Sequence, residues 1–200
     1  MRRAESTPVN MVSSVIVTCV VASAALAGTY QLTNERIVAQ QKAAEEAAIQ
    51  AVLEAAEETE PLDEQTVQRA AEAAEEGGVS AIYSAVDASG DPVGWAVRVA
   101  PRGYGGPMQM VVGVDRSGLV TGVSIITQNE TPGLGTKILT EPGFLEQFEG
   151  WDGAAVDEAA RSFDAISGAT KSSNGVRKGV LAAGHVYADV LSGEGGSSDE

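Results

Sequence analysis

The sequence predicts an α+β protein with a single N-terminal transmembrane helix, a helical stalk, and an antiparallel-sheet domain with flanking helices. Three observations carry this prediction. No charged residue occurs from Ser6 to Asn34, and a stretch rich in Ala, Glu and Gln follows that run. After Gly78 the composition changes to Val, Ile and Gly, interrupted by short polar turns.

The first element is an apolar run, NMVSSVIVTCVVASAALAGTYQL, at residues 10–32. A membrane-spanning helix needs roughly 20 such residues, which this run supplies. We therefore predict a transmembrane helix over residues 9–32, anchored in the lipid bilayer, with residues 1–8 as a cytoplasmic N-terminus. Tyr30 suits the membrane interface.

The apolar run has two other interpretations besides an uncleaved anchor, namely a cleaved signal peptide and a lipid-anchored segment. Ala25-Leu26-Ala27 resembles a signal-peptide cleavage site after a short apolar region. Cys19 suggests a lipid anchor, although Thr18 is unfavourable directly before a lipidated cysteine. The anchor is favoured because the uncharged run continues past the cleavage-like site through Leu32.

Basic residues on both sides of the span leave its orientation weakly determined. Arg2 and Arg3 favour a cytoplasmic N-terminus, but Arg36 and Lys42 cancel much of that bias. The signal-anchor layout still favours placing the rest of the chain outside the cytoplasm.

Residues 33–76 are predicted to form a helical stalk, or alternatively helices packed on the domain that follows. We expect a helix from Glu35 to Glu60, ending at Pro61, and a second helix over Asp63–Glu76 that stops at Gly77-Gly78. A weak apolar stripe recurs at helical spacing in the first of these: Ile37, Ala44, Ala48, Val52 and Ala55. The glutamates are interpreted as a solvated face and not as a metal site.

Residues 77–191 are predicted to form the folded domain. Four strands, VSAIYSAV, PVGWAVRVA, MQMVVGV and LVTGVSIIT, alternate with the turns DASGD, PRGYGGP and DRSG. A loop and a short helix follow, and Lys171–Leu191 is predicted to be a long helix. Residues 192–200 are predicted to be a disordered tail.

Composition excludes several classes of function. The formal net charge of −15 argues against a nucleic-acid partner, because phosphates require a basic surface. A single cysteine and a single histidine, Cys19 and His185, exclude a disulfide framework and a His-rich metal site. If the protein does chemistry, a cofactor is the expected source of it. His185 is interpreted as a partly exposed helix residue, and Trp95 and Trp151 as packing residues.

Three glycine-rich stretches could bind phosphate. GYGG at 103–106 lacks the full dinucleotide pattern, and PGLGTK at 132–137 has Thr136 where a P-loop requires glycine. In DAISGATKSSNGV at 164–176, a helix beginning near Thr170 would direct free N–H groups towards a phosphate. Lys171, Arg177 and Lys178 concentrate positive charge near that helix start. The alternative is a plain Ser/Thr-capped helix start.

Two motifs in order make the chain resemble a known family. DAISGAT resembles the flavinylation motif of the FMN-binding domain family, and NETPGLGTKI at 129–138 is similar to that family's flavin-lining loop. GYGGPMQMVVGVDRSGLVTGVSI resembles the strand region before that loop. Together with the N-terminal span, the chain resembles the G subunit of Rnf-type ion-translocating electron transport complexes. The C subunit of the sodium-pumping NADH:quinone oxidoreductase shares both motifs and is the nearest alternative.

The resemblance implies a site for covalent FMN. Thr170 would carry FMN through a phosphoester bond, and a flavin transferase would recognise Asp164, Ser167, Gly168, Ala169 and Thr170. The further cofactor-binding residues it implies are Ser167, Gly168, Ala169, Lys171, Ser172, Glu130, Thr131, Leu134, Gly135 and, as a weaker candidate, Tyr104. Lys171 departs from the smaller or apolar residue expected there, and it suits the charge of a phosphodiester.

The resemblance also implies a role and a location. The protein would relay electrons among the other membrane subunits of a complex that couples transfer between ferredoxin and NAD to Na⁺ or H⁺ movement, without turnover of its own. It would be a single-pass protein of the bacterial inner membrane. The FMN domain would lie on the periplasmic side, where the family's transferase works.

Overall fold

The structure, a computed structural model, describes residues 8–74 and 77–193. The expectations for residues 1–7, for Glu75 and Glu76, and for residues 194–200 of the tail lie outside the described residues. Contacts divide the chain into two compact units, residues 1–43 and residues 44–200, which are described separately.

The described part of the first unit is helical. It belongs to helix α1, Pro8–Val52, which is long and apolar enough to cross a membrane. Its large apolar side chains are exposed, as lipid contact requires. The hydroxyls of Thr18 and Thr29 donate to the backbone carbonyls of Ser14 and Ala25 at 2.8 Å, so these polar groups are satisfied within the helix.

The second unit is built on a five-stranded antiparallel sheet whose strands follow the order of the sequence. The strands are β1 Glu58–Pro61, β2 Val79–Val86, β3 Pro92–Val99, β4 Gln109–Asp115 and β5 Val120–Thr127. Polar turns join β2 to β3 and β4 to β5, where the carboxylates of Asp87 and Asp115 accept backbone N–H groups. The α+β fold and the antiparallel meander predicted from the sequence are confirmed.

Strand β1 corrects one expectation, since the helix predicted from Glu35 was expected to continue to Glu60 and end at Pro61. Helix α1 ends at Val52 and the chain then joins the edge of the sheet, where Glu58 pairs with Val86 and Pro61 with Tyr83. All four β1 side chains are exposed, so the polar composition gave no strand pattern. Pro61 is tolerated because it ends an edge strand, where a missing N–H costs little.

Helices cover both faces of the sheet. On one face lie α2 Glu64–Ala73 and α5 Thr170–Val186, which continues as a π-helical turn over Tyr187–Leu191. Asp63 caps α2 by accepting the N–H groups of Gln65 and Thr66. On the other face the end of α1 packs through Ala48, Ile49 and Val52 against Ala85, Ala96 and Val111.

Between β5 and α5 the chain forms short helices around an aromatic cluster. The elements are α3 Lys137–Thr140, α4 Val156–Ala159, and 3₁₀ turns at Glu146–Phe148, Gly153–Ala155 and Ala160–Ser162. The cluster contains Phe144, Phe148, Trp151 and Phe163, with ring centroids 4.9 to 6.2 Å apart. It fixes residues 144–151 against the segment that leads into α5.

Candidate functional site

Three segments that are distant in the sequence converge on one cavity of about 210 Å³. They are the turn after β3, the loop after β5, and the start of helix α5. The lining residues are Tyr104, Glu130, Thr131, Leu134, Gly135, Gly168, Ala169, Thr170, Lys171 and Ser172. Every cofactor-binding residue expected from the sequence is in this set except Ser167.

A buried carboxylate joins the three segments. Glu130 is 5% exposed, and its Oε1 accepts the N–H groups of Tyr104 at 2.9 Å and Gly105 at 3.2 Å. Its Oε2 accepts the hydroxyl of Ser172, on the first turn of α5, at 2.6 Å. Both oxygens are therefore engaged by the protein itself, so Glu130 shapes the cavity.

Glycines allow the segments to approach this carboxylate. A Cβ atom on Gly103 would collide with Glu130 Oε1, and one on Gly105 would collide with the carbonyl of Asn129. A Cβ atom on Gly135 would lie 2.5 Å from Glu130 Oε2 and 2.9 Å from Ser172 Oγ. Gly103, Gly105 and Gly135 are thus required by the close packing around Asn129 and Glu130.

Helix α5 begins without a side-chain cap, which makes the Ser/Thr-capped alternative wrong. Its N-cap residue is Ala169, which has no side chain able to accept a backbone N–H. Ser173 is buried, and its hydroxyl accepts the N–H of Ile166 at 3.1 Å, outside the helix. The N–H groups of residues 170–172 have no intrahelical acceptor at a helix start, and Thr170 is exposed beside them.

The basic residues near this helix divide between two places. Lys171 lies at the cavity, with Nζ 5.8 Å from the centre of the Tyr104 ring, an arrangement suited to a cation–π contact. Arg177 and Lys178 instead line a groove between α2 and α5. Arg177 also lies over the Phe163 ring at 5.8 Å. Of the three basic residues expected near the helix start, Lys171 lines the cavity, whereas Arg177 and Lys178 do not.

Asp164 and Ser167 line a neighbouring recess of about 410 Å³, not the cavity around Thr170. The opposite wall of the recess is formed by Glu141, Pro142, Gly143, Phe144 and Gln147. No role for these five residues is predicted from the sequence. These residues belong to no recognised motif, and they lie next to residues 164–167 only in the folded structure.

The remaining candidate residues lie elsewhere. His185 lies on α5, and its Nε2 is 3.1 Å from Oδ2 of Asp157 on α4. Trp151 is buried beside Phe148, and Trp95 packs against Tyr187 with ring centroids 6.0 Å apart. Within residues 8–74 and 77–193, no group of His, Cys, Asp and Glu side chains could hold a metal ion.

The segments around this cavity lie in a region that matches a known family. A family model described as the FMN-binding domain matches residues 103–184. The chain is 33% identical over 178 residues to the G subunit of the ion-translocating oxidoreductase complex of Stutzerimonas stutzeri, covering 84% of this chain and 75% of that protein. It belongs to the G-subunit family of ion-translocating oxidoreductase complexes. The resemblance seen in the motifs is confirmed.

A second G-subunit relative matches over nearly its whole length. The protein of the same name from Methanosarcina acetivorans is 33% identical over 192 residues, covering 92% of this chain and 97% of that protein. Among solved structures, that of Shewanella oneidensis NqrC is similar with a TM-score of 0.42 and 23% identity, over 51% of this chain and 54% of that chain.

The cavity of this G-subunit protein fits a phosphate-bearing cofactor in its donor set. All ten lining residues fall within the region matched by the FMN-binding domain, and an uncapped helix start with a lysine lies at one end. The volume is below the ~300 to 1,000 Å³ of common ligand pockets, so a ligand of FMN's size would extend beyond it.

Proposed function

We propose that this chain carries FMN, bound covalently to Thr170 through a phosphoester, and relays electrons within an ion-translocating oxidoreductase complex. One observation carries the proposal. The exposed hydroxyl of Thr170 stands at the first turn of an uncapped 17-residue helix and lines the same cavity as the ETPGLG loop.

The start of α5 would hold the phosphate. Three backbone N–H groups at 170–172 and the positive end of the helix dipole favour a negative group there. Lys171 adds a full positive charge at the cavity in a protein with a formal net charge of −15. Gly168, with φ of +80°, has no Cβ to obstruct this approach.

The other cavity residues would hold and enclose the flavin ring. Tyr104 and Leu134 are 68% and 52% exposed, so their apolar surfaces are available to contact a flat ring. Glu130 would fix the two loops that carry them. FMN supplies the electron transfer itself, so the protein needs only to bind, orient and partly cover it.

Attachment requires an activated flavin phosphate. An ester formed from free FMN would release water, which is unfavourable in aqueous solution, so we assign the donor to a flavin dinucleotide with a phosphoanhydride. The bond from Thr170 Oγ1 to phosphorus forms, the anhydride P–O bond breaks, and the nucleoside monophosphate leaves. The hydroxyl proton passes to a base of the flavin transferase. No electron is gained or lost in this step.

Membership in the G-subunit family supports the proposed setting. The relatives are named as subunits of ion-translocating complexes, so the other membrane subunits are the proposed electron partners. The apolar half of α1 supports a single-pass anchor in the bacterial inner membrane. We place the FMN domain on the periplasmic side.

The proposal is tested by expressing the full chain with a flavin transferase and examining a denaturing gel for flavin fluorescence. The wild-type chain should fluoresce, and Thr170→Ala should not. Thr140→Ala is the matched control, because it removes an exposed threonine hydroxyl on α3, outside the cavity, and should retain fluorescence. A non-fluorescent wild-type chain, or a fluorescent Thr170→Ala chain, would overturn the proposal.

A further inference from the structure

The segment that leads to Thr170 is held by three backbone hydrogen bonds, two to other parts of the domain and one within the segment. The N–H of Asp164 donates to Gln147 Oε1 at 2.9 Å, and that of Ile166 donates to Ser173 Oγ at 3.1 Å. The N–H of Ala169 donates to the carbonyl of Ile166 at 2.9 Å. The backbone of the segment is therefore held by hydrogen bonds made within this chain.

Between these points the segment turns its other side chains outward. Ile166 and Ala169 are buried and anchor it in the core. The exposed residues are Asp164, Ala165, Ser167, Gly168 and Thr170. This combination of a fixed backbone and exposed side chains suits a segment that a second protein must bind and modify.

Gln147 makes the first of the three hydrogen bonds, and both the oxygen and the nitrogen of its side-chain amide contact Asp164. Nε2 donates to the carbonyl of Phe144 at 2.7 Å and to that of Asp164 at 3.3 Å, while Oε1 accepts from Asp164 N. Two carbonyls on one side and an N–H on the other admit a single amide orientation. Gln147 thus forms hydrogen bonds with both the N–H and the carbonyl of Asp164, as the backbone of a neighbouring strand would.

The aromatic cluster holds Gln147 in place. Its neighbours Phe144 and Phe148 are buried, and both pack on Phe163, with centroid distances of 6.2 and 5.8 Å. Phe163 directly precedes Asp164, so the same cluster supports both partners of the amide contact. The contact is therefore backed by the buried aromatic cluster.

We propose that Gln147 is a positioning residue for the modification of Thr170, because it holds the start of residues 164–170 in the shape that the flavin transferase binds. This rests on the proposed function. An enzyme that binds a flexible segment must first order it, and a pre-ordered segment avoids that loss of affinity. Gln147 takes no part in the bond changes at Thr170.

The test measures flavin transfer to the full chain in detergent, expressed without the transferase and then mixed with purified transferase and flavin adenine dinucleotide. Gln147→Leu removes both ends of the contact while keeping the side-chain size. We expect KM for the acceptor chain to rise about tenfold with kcat unchanged, because a smaller fraction of the segment is in the bound shape.

A second variant and a second measurement guard against simple misfolding. Gln147→Glu keeps the acceptor for Asp164 N but sets a carboxylate against two carbonyl oxygens, and it should also raise KM. Amide hydrogen exchange of residues 164–170 should become faster in both variants. Gln68→Leu makes the same chemical change on the exposed surface of α2 and should leave KM and exchange unchanged.

The outcomes separate this inference from the proposed function. If the wild-type chain is modified at Thr170 and both Gln147 variants keep the wild-type KM, the positioning role alone is wrong. A fall in kcat at unchanged KM also overturns it. If the wild-type chain is not modified at all, or Thr170→Ala is modified equally, the proposed function itself fails.

Discussion

Glu130 decides the shape of the candidate site more than any other single residue. Its carboxylate accepts two backbone N–H groups from the turn after β3 and one hydroxyl from α5. It lies on the third segment, so one side chain connects all the chain segments that line the cavity. Its loss would leave the buried Ser172 hydroxyl and two partly buried backbone N–H groups without this acceptor, whereas an amide could still satisfy them.

We therefore expect Glu130→Ala to lower the free energy of unfolding by about 2 kcal/mol, since one unsatisfied buried donor costs ~1 to 3 kcal/mol. Glu130→Gln should cost about 1 kcal/mol, because its amide oxygen can accept the two N–H groups and its NH₂ can donate to Ser172 Oγ. Urea unfolding of the full chain in detergent, followed by tryptophan fluorescence, measures both. Equal losses in the two variants would show that hydrogen bonding is not the cause.

At the scale of elements, four strands and the final helix could be predicted because their sequences carry their own pattern. Strands β2 to β5 are apolar runs between turns, and their predicted bounds agree with the structure to within one residue at each end. Strand β1 could not be found this way, because its residues are polar and exposed. Its pairing with β2 is decided by the neighbouring edge and not by its own composition.

The site was predictable for a different reason. Residues 104, 130–135 and 168–172 have no common period or spacing, so only the two family motifs indicated that they belong together. The recess around Gln147 could not be predicted from the two motifs. The Gln147 side chain contacts Asp164, 17 residues later in the chain, and neither motif includes Gln147.

The contact between α1 and the sheet predicts how stability depends on pH. Tyr83, on β2, donates to Glu45 Oε1 of α1 at 2.8 Å, and Arg98 lies 3.0 Å from the same carboxylate. Burial, together with Glu45, raises the pKa of Tyr83 above 10.0, while Arg98 opposes that shift. The neutral phenol is therefore favoured in the folded state.

Because the pKa is raised, Tyr83 stabilises the fold fully below pH 10, and this contribution is lost as pH rises through the folded-state pKa. We expect the difference in unfolding free energy between the wild-type chain and Tyr83→Phe to fall over that range. Urea unfolding at a series of pH values measures it. In a Glu45→Gln background this decrease with pH should be smaller but still present, since burial raises the Tyr83 pKa more than Glu45 does. A difference that does not change with pH would contradict the argument.

At the scale of the whole molecule, the proposal requires Thr170 to lie outside the cytoplasm. The charges flanking the span do not decide the orientation, but the chain has a single cysteine, Cys19, within the apolar run. That makes thiol labelling a direct probe of topology. Ser89 is exposed on the turn between β2 and β3, and Ser6 precedes the span, so the two positions report opposite sides.

In a Cys19→Ser background, we expect Ser89→Cys to react with a membrane-impermeant maleimide in intact spheroplasts. Ser6→Cys should react only after lysis, because the bilayer separates it from the reagent. The chain with Cys19 alone should stay unlabelled in intact membranes, since its thiol would lie in the hydrocarbon region. Labelling of Ser6→Cys but not Ser89→Cys before lysis would reverse the orientation, and a flavin transferase outside the cytoplasm could then not reach Thr170.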